Sequence, residues 1–498
     1  MNRLRWQSSV LAALLLGLAC QGASGREAAD FSHLSLTESA QLIRDGKIRS
    51  RDLVESLLRR ADAQSELNAF ITLDRNGALK AAQAADAARA QGKPLSPLHG
   101  VPLVIKDNIH VAGLPNTVGT PALRAFVPSA NAPVVQALID AGAIVLGKTN
   151  MHELALSTTS DNAAFGPVRN PYDHSRFAGG SSGGTGAAIA ARIAAGGLGS
   201  DTGGSVRIPA ALCGIVGLRP TTGRYSAEAV TPFSHTRDTV GPMARSVADV
   251  ILLDQVITGD RSPVKPVNMR EVRLGVARAT FYANLDPEVA RLVERTLEKL
   301  RAAGAELVDV DLGDFAATSV KIGPAVGYYE VKRDLSAYLS RYQPQITLND
   351  VVAGIASKDV KDIFAKRVLG DEAPTDEAYR EAMEVLRPKF QKMYADTFAS
   401  QRLDALILPT TVLPAQSLEN SAEVTLNGQK MTSLAAYVMN TRPVNNAGIA
   451  GLSVPMGLTA EGLPVGVEID GPAGSDRHLL AIGLELEKVL GPVPPPKQ

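Results

Sequence analysis

The chain has 498 residues, and its 51 Lys and Arg are balanced by 51 Asp and Glu. That balance removes any electrostatic case for a nucleic-acid partner or an anionic membrane surface and points to a small neutral ligand. A hydrophobic content of 45% with 20% charged residues fits a globular chain with a large core, and two cysteines, Cys20 and Cys213, are too few for a thiolate metal cluster.

Residues 1–25 read as a secretory signal. Arg3 and Arg5 make a basic start, Val10 to Ala19 a short apolar core, and Ala23 and Gly25 are small residues suited to cleavage after Gly25. The apolar run is too short for an ordinary membrane span. The expected location is periplasmic or secreted. Lipoprotein anchoring through Cys20 stays open, although Gly17 stands where a lipobox usually has Leu. If Cys20 leaves with the signal, Cys213 has no partner for an internal disulfide.

Ser35 with Glu38 three residues on has capping-box spacing and predicts a helix with Leu36, Ala40 and Ile43 inward. Ser50 is expected to cap a second helix, and a third, Ala-rich one is expected over Asn76 to Ala90. From Pro102 strands and helices alternate. Leu103 to Ile105 reads as a strand, Val134 to Asp140 as a helix, Ala143 to Leu146 as a strand and Thr185 to Ala195 as a helix. The alternation continues through the strands Arg273 to Val276, Leu307 to Val310, Ala405 to Leu408, Leu452 to Met456 and Val465 to Ile469. It predicts an α/β fold: a single large domain over residues 26–498, with a mixed central β-sheet covered by helices on both faces. Residues 315–401 are more polar and helical, and are expected to form an insertion that shapes the substrate pocket.

The most unusual stretch is Gly179 to Arg207, GGSSGGTGAAIAARIAAGGLGSDTGGSVR. Glycine loses more backbone freedom on folding than any other residue, so this density needs a reason. Backbone conformations closed to other residues, and bare N–H groups approaching a ligand or a developing negative charge, are two such reasons. Surface turns would also use Gly and Ser, but the apolar run between the two clusters argues for burial.

Three motif matches fail on context. Residues 142–149 satisfy the phosphate-binding pattern GxxxxGK[ST], yet Ala143 to Leu146 are strand-like where a loop is required. Gly179 to Gly183 satisfies GxSxG, yet Asn170 to Ala178 does not read as the strand that a nucleophile elbow needs. A Ser-His hydrolase remains the mechanistic rival, with His235 or His478 as the available bases. His152-Glu153 begins like HExxH, but Leu156 stands where the second His should be, so no metal is expected. A serine nucleophile without His needs another base, and a buried Lys can serve. Lys106, at the end of the apolar run Val101 to Ile105, is the candidate.

At this point the residues are similar to a known family. Gly100 to Ile109 around Lys106, Gly179-Gly-Ser181-Ser-Gly-Gly184, Asp201-Thr-Gly-Gly-Ser205-Val-Arg207-Ile-Pro209 and Cys213 to Thr221 follow one another in the order of the amidase signature family. The resemblance runs from about residue 32 to 490. It implies the amidase signature fold, with Ser205 as nucleophile, Ser181 as a bridging serine after a cis peptide bond and Lys106 as base. It further implies an oxyanion hole from the backbone N–H groups of Thr202, Gly203, Gly204 and Ser205. Asp201 and Arg207 are expected to orient that loop, and Ser157, Thr158 and Thr159 to match a loop near the substrate. The stretch Phe233 to Gly241 resembles arylacetamide-type members, such as indoleacetamide and mandelamide hydrolases. The expected reaction is hydrolysis of a small-molecule amide to acid and ammonia or amine, with no cofactor. Esterase or carbamate chemistry by the same relay, a non-catalytic carbonyl-binding role and a homodimer are left open.

Overall fold

The computed structural model describes residues 29–497. The expected signal segment and Cys20 lie outside the described residues. Among those described, no helix is long and apolar enough to cross a membrane.

The core is an eleven-stranded mixed sheet flanked by helices. From one edge its order is Phe70–Leu73, Ile144–Thr149, Pro102–Lys106, Gly196–Asp201, Thr239–Ala244, Val216–Arg219, Gly451–Leu458, Pro464–Asp470, Ala405–Pro409, Arg273–Val276 and Glu306–Asp309. Pro102–Lys106 runs parallel to both of its neighbours, with Val104 opposite Gly197 and Ile105 opposite Leu198. Gly196–Asp201 is antiparallel to Thr239–Ala244. Every residue of Pro102–Lys106 and Gly196–Asp201 is buried, as strands covered on both faces require.

Several elements differ from the sequence expectation. The capping box at Ser35 is present, with Ser35 Oγ accepting from Glu38 N–H and Glu38 from Ser35 N–H. Ser50, however, is the first residue of its helix, and its hydroxyl donates to the Gly100 carbonyl (2.6 Å) instead of capping. The Ala-rich helix following the first glycine cluster spans Gly183–Ala190, starting and ending earlier than expected. It takes in Gly184, where a Cβ would stand 2.3 Å from the Asn150 carbonyl oxygen, so that only glycine fits. A helix buried on every side has no amphipathic stripe. Strand Asp173–Phe177 does precede the GxSxG stretch, but it pairs in a separate two-stranded hairpin with Arg169–Asn170, outside the main sheet.

Between Glu306–Asp309 and Ala405–Pro409 the chain is helical, led by Phe315–Tyr342. That long helix carries Gly323, Pro324 and Gly327 at mid-length, and all three line the cavity described next.

Candidate active site

Strand Pro102–Lys106 delivers Lys106 from a wholly apolar run into a polar, solvent-free interior. Lys106 Nζ lies 2.7 Å from Ser181 Oγ and 2.9 Å from Ser200 Oγ, with the Ser200 carbonyl oxygen at 3.5 Å. A neutral amine has two N–H groups and one lone pair. Ser200 takes the N–H groups and the lone pair is left for the Ser181 hydroxyl proton. Asn108 Nδ2 donates to the same Ser200 Oγ (3.0 Å), fixing it. Burial pushes the Lys106 ammonium down to about 7, against the weaker pull of Asp201 and Asp238. Among the described residues Lys106 has no ion-pair partner.

Ser181 follows a cis peptide bond from Gly180. Its carbonyl oxygen accepts from His152 N–H (3.1 Å) and Ser160 Oγ (3.3 Å). A Cβ on Gly180 would stand 2.9 Å from Ser160 N and the Thr158 carbonyl carbon, so this approach requires glycine. Ser182 N–H then donates to the Ser205 carbonyl oxygen (3.2 Å), clamping the two serine clusters together. Ser205 itself is 8% exposed and faces a cavity shared with Ser157, Thr158 and Tyr328.

The loop before Ser205 is shaped by Asp201. Its carboxylate accepts from Gly204 N–H (2.9 Å) and Val206 N–H (3.1 Å), from Arg207 Nη2 and Nε (3.0 and 3.1 Å) and from Asn445 Nδ2 (2.8 Å). Burial pushes Asp201 up, but the Arg207 and Arg219 guanidiniums outweigh it and hold the carboxyl well below the usual range. The result corrects one expectation: Gly204 N–H is spent on Asp201, so it does not face an oxyanion. Among the described residues the N–H groups of Thr202, Gly203 and Ser205 have no protein acceptor, and these three are the donors left for a developing oxyanion.

Thr159 is a second correction. Its hydroxyl lies 3.3 Å from His152 Nδ1, and Thr159 does not line the cavity that Ser157 and Thr158 line. The histidines of the rival reading are not joined to the relay, although His235 lines the second cavity described below. His235 and His478 are both exposed side chains paired with Asp334 and Asp404 (2.9 Å each), and neither bonds to a serine. Lys148, from the phosphate-loop letters, lies within strand Ile144–Thr149, buried 3.3 Å from Asp107.

Sequence reasoning missed several participants. Asp238 accepts from the Thr202 hydroxyl (2.5 Å) and from Phe233 and Ser234 N–H (2.8 Å each); burial pushes its carboxyl up to about 6. Thr441 Oγ1 donates to the Gly203 carbonyl (2.7 Å). Ser200 and Asn108 hold Lys106. Asn108 lies within a quoted motif and Ser200 adjoins one, so both were findable; Thr441 and Asn445 lie 238 and 244 residues along the chain from Gly203 and Asp201, which they support. A second cavity of about 300 Å³ meets the Ser205 cavity at Ala155, Thr202 and Phe233. It runs from Asn108 and Ser200 to Val230, Tyr338 and Tyr342.

Comparison with known proteins agrees in every direction. Residues 52–480 match the family described as Amidase. The chain is 44% identical to a mandelamide hydrolase of Pseudomonas putida, covering 93% of this chain and 92% of that one. It is 40% identical to an indoleacetamide hydrolase of Agrobacterium vitis, covering 92% and 97%. Among solved structures, a crystal structure of an amidase superposes with a TM-score of 0.83 at 35% identity, covering 92% of this chain and 100% of that one.

Proposed function

The chain belongs to the amidase family and is a hydrolase of carboxylic amides; on that premise we propose that it cleaves arylacetamide-type amides through an acyl-enzyme on Ser205, with Ser181 and Lys106 as the proton relay. The observation that carries the reading is the 2.7 Å contact between Lys106 Nζ and Ser181 Oγ beside the Ser205 cavity.

In this mechanism neutral Lys106 accepts the Ser181 proton as Ser181 accepts that of Ser205. Ser205 Oγ adds to the amide carbonyl carbon. The carbonyl oxygen becomes an oxyanion received by the N–H groups of Thr202, Gly203 and Ser205, where losing one donor typically costs about a hundred- to a thousandfold. The C–N bond breaks as the relay returns its proton to the leaving nitrogen, releasing ammonia or an amine. Water, activated by the same relay, adds to the ester carbon, and the acid leaves with Ser205 reprotonated. A neutral lysine suits this sequence because no charge pair has to separate in a buried site before attack.

Two features support an aryl acyl group. The larger cavity offers apolar and aromatic walls at Val230, Phe233, Tyr338 and Tyr342, which suit burial of a flat ring. Two relatives are named for mandelamide and indoleacetamide. Ammonia release from phenylacetamide, with Ser205→Ala as blank, tests the reading. No ammonia from the wild type on phenylacetamide or indole-3-acetamide contradicts it.

Export is proposed on the basic start, apolar core and small residues of positions 1–25. Recovery of the full-length N-terminus from the cytoplasm alone would contradict it.

A further inference from the structure

The Ser205 cavity contains two arginines that the reaction above does not use. Arg442 and Arg237 both line it, together with Tyr328. Arg442 opens the helix Arg442–Ala447, and among the described residues its side chain has no hydrogen-bond or ion-pair partner. Burial pushes its guanidinium down, and the one group favouring its charge is the Tyr328 hydroxyl; no carboxylate does so. Arg237 is buried and donates Nε to Ser234 Oγ (3.0 Å) and Nη1 to Asn446 Oδ1 (3.4 Å), both neutral acceptors. Glu330 and, less strongly, Asp238 favour its charge, and Glu330 is also bonded to Ser234, Thr236 and Tyr379.

The long helix Phe315–Tyr342 is cut to fit these two side chains. A Cβ at Gly323 would stand 2.6 Å from Arg442 Cδ, and one at Gly327 would stand 2.2 Å from Arg237 Nη2. Glycine weakens a helix interior relative to alanine, and this helix carries two of them along the wall where half-buried Arg442 stands with no carboxylate against it. The Arg442 guanidinium, left without an acceptor there, matches a planar anion, which a guanidinium binds by paired charge-assisted hydrogen bonds.

We propose that Arg442, seconded by Arg237, forms a carboxylate-recognising subsite beside Ser205, so that favoured substrates are amides carrying a carboxylate on the group lodged against this wall. The inference rests on the reading of Ser205 as nucleophile. With an aryl acyl group in the larger cavity, the Ser205 cavity receives the leaving side, and the substrate class is an N-arylacetyl amino acid. The same chemistry on the acyl side would be the monoamide of a dicarboxylic acid.

Two matched pairs separate these sources. Phenylacetate release compares N-phenylacetylglycine with N-phenylacetylglycinamide, and ammonia release compares succinamate with butyramide. The first pair should favour its carboxylate by about tenfold or more in kcat/KM, the range expected when a buried charged group is left without its partner. That preference should shrink at least about tenfold in Arg442→Met and survive in part in Arg442→Lys. Arg442→Met removes an uncompensated charge and should fold. Gly323→Ala, which displaces the guanidinium while keeping its charge, should reduce the same preference. A preference in the second pair alone supports the subsite and assigns it to the acyl side. No preference in either pair, or one that Arg442→Met leaves intact, overturns it. Cleavage of phenylacetamide with no carboxylate preference sinks the subsite and spares the aryl reading; cleavage of succinamate without phenylacetamide does the reverse.

Discussion

Lys106 Nζ stands 2.7 Å from Ser181 Oγ in an interior where both residues are fully buried. Ser200 and Asn108 complete the amine's surroundings with neutral groups. Desolvation without a counter-ion lowers a lysine pKa, so the ammonium gives up its proton near neutrality and leaves a free amine able to act as base.

The rate should therefore follow the deprotonated fraction of Lys106. Below about 7 the amine carries a proton and cannot accept one from Ser181, so kcat/KM for phenylacetamide falls on the acid side and levels above. A flat profile between about pH 5 and about pH 8 contradicts a lysine base. The stability consequence has a definite sign. Between about 7 and the ordinary 10.5 the unfolded chain holds a proton that the folded chain lacks, so this group makes stability rise with pH across that window. Lys106→Met should remove that rise, measured by denaturant unfolding at pH 7 and pH 9.

Asp238 holds the Thr202 hydroxyl and two backbone N–H groups, and so sets the angle at which the loop meets substrate. Asp238→Asn should lower kcat by about ten- to a hundredfold, a fraction of the cost of losing an oxyanion donor outright, with a smaller change in KM. A loss confined to KM would assign Asp238 to binding instead.

Gly204 has φ +123, and a Cβ there would stand 2.2 Å from Thr441 Oγ1. Gly204→Ala combines a backbone penalty of about 1–3 kcal/mol with a clash, so thermal stability and turnover should both fall. Gly203 has open space, its closest neighbour Val438 Cγ1 at 3.8 Å. Gly203→Ala should fold with near-normal stability and lose turnover by crowding the oxyanion.

Arg207 joins Asp201, Glu468, Asn445 and the Thr441 carbonyl, all buried. Arg207→Met leaves Glu468 without its cation and Asp201 with Arg219 alone (3.5 Å), a change worth about 3–5 kcal/mol of destabilisation. Urea unfolding should show it directly. Wild-type stability in that variant would contradict the account of the loop's support.

The elements legible in the sequence were those with a strong local signal. Leu103 to Ile105 is an apolar run, and the structure extends it to Lys106. Gly196–Asp201, Val216–Arg219 and Thr239–Ala244 are central strands that escaped notice. Glycine replaces the β-branched residues expected of a strand because neighbouring backbones press in, as where a Gly197 Cβ would stand 2.3 Å from the Val104 carbonyl oxygen. The serine clusters and Lys106 stood out because signature residues lie close together along the chain. Asp238, Thr441, Asn445 and Arg442 did not, since each acts across a distance that only folding closes. The spent N–H of Gly204 was equally invisible, because it depends on where the Asp201 carboxylate points.

The most direct test of the central claim is the turnover of phenylacetamide by Lys106→Ala, with folding checked by circular dichroism. Removing a general base typically costs about a hundred- to ten-thousandfold, and the account predicts a loss at the upper end of that range in a folded protein, alongside no turnover in Ser205→Ala. A folded Lys106→Ala retaining activity within about tenfold of wild type would contradict the relay.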